Sequence, residues 1–373
     1  MQISRVDVFQ VDLPYAGGTY RLSGGRTYTA FDATIVRITT DDGLTGWGES
    51  TPFGSTYVAA HAAGVRAGIA EVAPGLIGRD PRRVDRINDR MDELLVGHRH
   101  AKTAMDVACW DVFGRSVGLP VCDLLGGRIE GPMPIISSIH QGDPSDMRAR
   151  VADHRARGYR GHSIKIGASE AEGGPALDAE RVGACLADAR PGEYFIADAN
   201  GGLSVEHAIR LIRLLPSDAD IVLEAPCATW RETVTLRRQV SVPIILDELA
   251  DSEESVVRMI ADNVGDGIGL KVSKNGGLTA CRRQRDIATA AGFTMSVQDT
   301  VGSDIAFAAV VHLGQTVARH LLRCVLDVRD MVALTTAALD VPVVDGGVLA
   351  PDQPGLGVTP DLAVLGDPVL TFS

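Results

Sequence analysis

The sequence predicts an α/β fold, a (β/α) barrel of TIM type with an α+β capping domain ahead of it, on three observations. First, short apolar runs alternate with helical patterns from about residue 129 to 330, and such alternation builds a parallel sheet. Second, five of those runs close on one charged residue: Lys165 in HSIKIG, Asp198 in YFIADAN, Glu224 in DIVLEAP, Asp247 in PIILDE and Lys271 in GIGLKVS. Third, the acids stand 26 and 23 positions apart (198, 224, 247), the span of one strand and one helix. A closed barrel carries its catalytic groups at the carboxyl ends of its strands. An open doubly wound sheet would gather charge at one switch point instead of on five strand ends.

The elements follow in chain order. Residues 1–128 form the capping domain. ISRVDVFQVDLP and ATIVRITTDDGLTGWGES alternate as strands, the second pair turning at Asp41-Asp42-Gly43. Helical periodicity follows in VAAHAAGVRAGIAEVAPGLI, RRVDRINDRMDELLV and AKTAMDVACWDVFGRSVG. Gly126-Gly127 and the prolines Pro132 and Pro134 mark the boundary. Residues 129–335 form the barrel, with strands in MPIISSI, GHSIKIG, YFIADAN, DIVLEAP, PIILDE, GIGLKVS, FTMSVQD and HLLRCVL. Eight βα units is the count that closes a barrel. The tail, 336–373, is rich in Gly and Pro and has no helical period, so it is expected to return to the capping domain.

Bulk properties narrow the function. A chain of 373 residues suits a barrel with a smaller partner domain. With 45% hydrophobic and 23% charged residues it has the balance of a soluble globular enzyme. The formal net charge of −12 argues against a nucleic-acid partner, which calls for a basic surface. No apolar run approaches the roughly 20 residues of a membrane span, and the amino terminus lacks the pattern of a signal peptide. The six cysteines are scattered without a CxxC pair, as expected of reduced, buried thiols in a cytoplasmic protein.

Three carboxylates meeting at a barrel mouth make a hard-oxygen site for a divalent cation, here Mg²⁺. The nine histidines include one HxH, His98-Arg99-His100 in the capping domain, and no HExxH, so none stands with the strand-end acids and zinc is disfavoured. Removing a proton next to a carboxylate places two negative charges on one carboxyl group, and a divalent cation offsets them as a Lewis acid. A lysine accepts that proton only when neutral, so its pKa must be lowered by the cation and by the second lysine. Lys165 on the second strand and Lys271 on the sixth would face each other across the mouth, one on each side of a small carboxylate substrate. Asn200 is a candidate substrate contact or a turn residue. Asp299, closing the seventh strand, would orient a lysine or touch substrate. Glu248 is expected to point away from the mouth if its strand continues. Lys274, in KNGG, is read as part of a backbone turn, and His98 and His100 as structural.

The pattern resembles the muconate-lactonising-enzyme subgroup of the enolase superfamily over nearly the whole chain. GLTGWGE at 43–49, AMDVACWDVFGRSVGLPVCDLLGG at 104–127 and PGLGVTPD at 354–361 carry the likeness. The resemblance implies Asp198, Glu224 and Asp247 as Mg²⁺ ligands and Lys165 and Lys271 as acid and base. The family's Lys-x-Lys is here Ser163-Ile164-Lys165, so the first lysine is missing and the base is kept. The opening DLPYAGGTYRLSGGRTYTAFDATIV and the loop GESTPFGSTYVAAHA resemble the branch that acts on proline derivatives. The epimerases of betaines there carry a tryptophan after the seventh-strand aspartate, where this chain has Asp299-Thr300-Val301. Without that aromatic box the resemblance favours a secondary amine over a quaternary one. It implies dehydration of cis-3-hydroxy-L-proline, with epimerisation of a proline betaine or N-substituted amino acid, or muconate-type cycloisomerisation, as alternatives. Asp327 stands where amino-acid-using relatives hold the ammonium group, or else serves as a cap. Loops from Tyr15 to Tyr28 and Thr51 to Tyr57 would close over the mouth, with Tyr57 and Phe53 as pocket walls and Tyr20 a weaker one. Relatives of this architecture imply a homo-oligomer.

Overall fold

The computed structural model of the chain describes residues 1–373. Strands β1 (Ile3–Pro14), β2 (Ala30–Thr40) and β3 (Thr45–Ser50) form an antiparallel meander. Helices α1 (Ala62–Val72), α2 (Val84–Leu94) and α3 (Arg99–Val117) follow. The GLTGWGE motif has a steric reason. A Cβ at Gly48 would lie 2.1 Å from the Ala104 carbonyl oxygen, and one at Gly46 would lie 2.5 Å from that of Ala108. Glycine at both positions lets α3 lie directly on β3.

The barrel strands are β4 (Met133–Ile139), β5 (Gly161–Lys165), β6 (Tyr194–Asp198), β7 (Val222–Glu224), β8 (Ile244–Leu246), β9 (Gly267–Lys271), β10 (Thr294–Gln298) and β11 (Leu322–Leu326). Each pairs in parallel with the next, and β11 pairs with β4 to close the ring. Helices α4 (Pro144–Ala156), α5 (Gly174–Leu186), α6 (Val205–Leu214), α7 (Trp230–Arg237), α8 (Glu253–Asp262), α9 (Leu278–Ala291) and α10 (Asp304–Gly314) fill the crossovers. The eighth unit departs from the expected βα pattern. After β11 the chain makes only a 3₁₀ turn, Val328–Met331, because it is drawn at once to the end of β1. There the Ala333 N–H donates to the Pro14 carbonyl at 2.9 Å. The tail ends in β12 (Leu370–Phe372), paired antiparallel with β1 at Val6–Val8.

Buried acids of the amino-terminal unit cap helices of the barrel. Glu49, closing β3 and 2% exposed, accepts from the Ser303 N–H at 2.9 Å and the Ala306 N–H at 3.1 Å, at the start of α10. Asp106 on α3 accepts from the Thr279 N–H at 3.0 Å, at the start of α9. The residue just before α9, Gly277, has φ +95°, and a Cβ there would lie 2.5 Å from Asp106 Oδ2. Negative charge at a helix amino end is favoured by the helix dipole and satisfies donors the helix cannot. Burial pushes both carboxyls above their ordinary range, against the pull of these donors. Glu49→Ala strands buried N–H groups and is expected to lower the unfolding free energy by about 1–3 kcal/mol, read from the urea midpoint.

Candidate active site

Strand register brings the charged ends together. Lys165 pairs with Asp198, Asp198 with Glu224, and Glu224 with Ile245, two residues before Asp247. Paired residues on parallel neighbours share a face, so the three acids lie side by side at the carboxyl end of the barrel. Each is 1% exposed. Lys165 and Lys271 stand on β5 and β9, four strands apart in a ring of eight, and so on opposite walls.

Each lysine is held by an acid. Lys165 Nζ donates to Asp198 Oδ2. Lys271 Nζ lies 2.5 Å from Asp247 Oδ2 and 2.5 Å from the Tyr57 hydroxyl, with the Tyr57 ring centroid at 5.0 Å. Burial alone would depress both lysines, but the carboxylates outweigh it and hold both above their ordinary values. The direction is opposite to what a base needs. Its cause is Asp198 on one side and Asp247 with Glu248 on the other, while Lys165 does push Lys271 down as expected.

As the side chains stand, no three His, Cys or acidic groups converge on one ligating point, since Asp198 and Asp247 are turned to lysines. The donor set nevertheless fits a divalent cation. Burial, then Asp198 and Asp247, pushes the Glu224 carboxyl up to about 8, which is the repulsion a bound cation removes. Gly269 leaves the space between these acids open, since a Cβ there would lie 3.1 Å from Glu224 Oε1 and 3.3 Å from Asp247 Cβ.

A cavity of about 790 Å³ opens above, with Arg26, Tyr57, Asn200, Asp247 and Glu248 on its wall. Lys165, Lys271, Asp198 and Glu224 are not on that wall, and Tyr57 stands between the cavity and Lys271. The capping loops are latched by Arg26, which donates to the Thr56 carbonyl at 3.0 Å and to the Asn200 carbonyl at 3.3 Å.

The other candidates divide. Asn200 and Tyr57 reach the cavity. Phe53 does not: it is 5% exposed and sits behind Tyr57, packed on Tyr20, Tyr28 and Phe31 at 4.7–5.1 Å between centroids. Asp299 touches neither lysine. It accepts from the Ser273 N–H at 3.1 Å and its hydroxyl at 2.9 Å, and burial pushes it up to about 7. Asp327 is not on the cavity wall either; it caps the 3₁₀ turn after β11, accepting from the Arg329 N–H at 3.2 Å. Its carboxylate is taken by Arg329 at 2.8 Å and 3.0 Å. Glu248 does not point away, because β8 stops at Leu246 and strand alternation ends with it.

Two further side chains, to which the sequence assigns no place in the site, join the acids. Lys274, 5% exposed, donates to Asp247 Oδ1 at 3.0 Å and to the carbonyls of Asp247, Ala250 and Gly269. Burial raises the Asp247 carboxyl, yet Lys271 and Lys274 together hold it well below its ordinary range. Gln298, level with Lys271, donates to Glu224 Oε1 at 3.3 Å. A third basic residue three positions after Lys271 was the available signal for the first. The inward alternation of SVQ was the signal for the second.

Residues 146–364 match the enolase C-terminal domain-like family, and residues 21–126 match the mandelate racemase/muconate lactonizing enzyme N-terminal domain. The chain belongs to the enolase superfamily. Among relatives of this superfamily member is the cis-3-hydroxy-L-proline dehydratase of Roseibium aggregatum, 38% identical over 373 residues and covering 100% of both chains. The N-succinyl-L-Arg/Lys racemase of Bacillus cereus is 26% identical over 318 residues, 84% of each. A solved structure of a mandelate racemase/muconate lactonizing enzyme-type protein from Roseovarius nubinhibens ISM, complexed with magnesium, is 60% identical. It superposes with a TM-score of 0.99 over 100% of both chains.

Proposed function

We propose that this enolase-superfamily enzyme dehydrates cis-3-hydroxy-L-proline to Δ1-pyrroline-2-carboxylate, with Mg²⁺ held by Asp198, Glu224 and Asp247. The full-length identity to the Roseibium dehydratase carries the reading. The absence of an aromatic residue at Thr300-Val301 supports it against a betaine substrate. When bound, the cation supplies Lewis-acid stabilisation of charge developing on the substrate carboxylate. Asp198 and Asp247, as the residues that would hold the cation, would then pull less on both lysines.

The chain's own residues do the rest. In cis-3-hydroxy-L-proline the hydroxyl shares a ring face with the carboxylate, so the α-proton lies on the opposite face. Lys271 takes that proton once the Tyr57 hydroxyl has left it. The electron pair forms the C2–C3 double bond as the C3–O bond breaks. Lys165, on the opposite wall, gives a proton to the departing hydroxyl, which leaves as water. The enamine then tautomerises to the cyclic imine without a redox partner. The capping loops and the Arg26 latch exclude bulk water from this exchange.

Mass spectrometry of the Mg²⁺-loaded enzyme with cis-3-hydroxy-L-proline tests the reading, the expected result being loss of one water. The trans isomer, whose hydroxyl and α-proton share a face, should survive. An inert cis substrate alongside α-proton exchange in L-proline would make the protein a racemase or epimerase instead.

A further inference from the structure

Two residues of the cavity wall each carry a buried oxygen atom that nothing in the protein satisfies. Asn200 Oδ1 and Glu248 Oε2 are both buried and without a hydrogen-bond partner, and both residues line the cavity. Asn200 is only 7% exposed. Its amide is fixed, because Nδ2 donates to Asp198 Oδ2 and to Glu248 Oε1, each at 3.1 Å, which leaves Oδ1 over. Its backbone is fixed as well. The Asn200 N–H donates to Asp198 Oδ1 at 2.9 Å, with φ at +46°, in the left-handed region that asparagine enters more readily than most residues.

Buried acceptors left without donors are destabilising, so these two call for a ligand that supplies N–H or O–H groups. The cations close by are already committed. Lys271 is bonded to Asp247 and Tyr57, Lys274 to Asp247 and three carbonyls, and Arg26 to Ser23, Thr56 and the Asn200 carbonyl. The ligand must therefore bring its own donors, and beside a carboxylate a positive charge on them is favoured.

We propose that Asn200 Oδ1 and Glu248 Oε2 form the seat for the ring ammonium of a cyclic secondary α-amino acid. The inference rests on the proposed function and names the contact by which that site would choose an amine. A protonated ring nitrogen carries two N–H donors, one for each oxygen. It is bonded to the α-carbon, so a seat next to Asp198 and Asp247 holds the reacting carbon near the two lysines. A quaternary ammonium or a ring ether has no N–H and leaves both oxygens unsatisfied, the situation in which a polar site rejects a close analogue most strongly. Glu248 thereby takes the place that the resemblance gave to Asp327.

Titration calorimetry on the Mg²⁺-loaded protein separates the possibilities, with L-proline and tetrahydrofuran-2-carboxylate as probes. The two differ by a ring NH₂⁺ against a ring oxygen. Wild type is expected to prefer L-proline by about 10–100-fold, the worth of charge-assisted hydrogen bonds. Glu248→Gln should lose most of that preference. Equal affinity of wild type for the two probes, absence of binding included, would overturn the seat. So would a preference kept intact in Glu248→Gln. Mg²⁺ affinity and melting temperature check that the variant is folded, and the wild-type comparison with proline betaine as a third probe stands if it is not. A protein that prefers L-proline but dehydrates nothing keeps the seat and loses the reaction. One that dehydrates the substrate while Glu248→Gln keeps the preference keeps the reaction and loses the seat.

Discussion

Lys271→Ala is expected to lower kcat by about 10²–10⁴-fold, the contribution of a positioned general base, and to leave the fold in place. Structural collapse is not expected, because Asp247 keeps Lys274 on its other oxygen at 3.0 Å. Lys165→Ala should differ in kind. If Lys165 serves the departing hydroxyl, its removal spares α-proton exchange and blocks elimination, so the substrate gains solvent deuterium without losing water. Steady-state rates for elimination, with deuterium incorporation measured on the same samples, separate the two lysines. Full activity in Lys271→Ala would remove it from the mechanism.

Asp198→Asn carries the second large effect. It removes the carboxylate charge on the strand between Lys165 and Glu224, and with it the first of the proposed cation ligands. Outer partners of a metal ligand are already worth about 10–100-fold in affinity or activity, so loss of a direct ligand should weaken Mg²⁺ binding by at least about 100-fold. Activity should fall with it and recover in part at high Mg²⁺. The same change frees Lys165, whose main charge partner is Asp198. Calorimetric Mg²⁺ affinity is the readout, and an unchanged value would take Asp198 out of the ligand set.

The barrel was legible because its signals are local. Each of Asp198, Glu224 and Lys271 ends a short apolar run, and the structure places each as the last residue of its strand. Asp247 falls one residue past β8. That single residue is why Glu248 lies on the cavity wall and does not point away, since alternation holds only while the strand continues. The remaining differences come from contacts made beyond the strand ends. Asp327 closes an apolar run as the others do, yet its carboxylate is taken by Arg329 two residues on, and no apolar run carries that pairing. Lys274 was invisible for a different reason. KNGG does form the expected turn, with Gly276 and Gly277 at φ +99° and +95°, but the ammonium then folds back onto Asp247 across 27 positions. Phe53 shows the limit of reasoning from a loop's location: an aromatic residue on a closing loop packs as readily on other rings as on a substrate.

The proton NMR spectrum of the enzyme with Mg²⁺ and cis-3-hydroxy-L-proline in deuterated buffer tests the central claim most directly. Opposed lysines performing an anti elimination predict loss of the hydroxyproline signals and growth of Δ1-pyrroline-2-carboxylate, dependent on Mg²⁺ and absent in Lys271→Ala. Deuterium entering the α-position with the hydroxyl retained, or an unchanged spectrum, would contradict it.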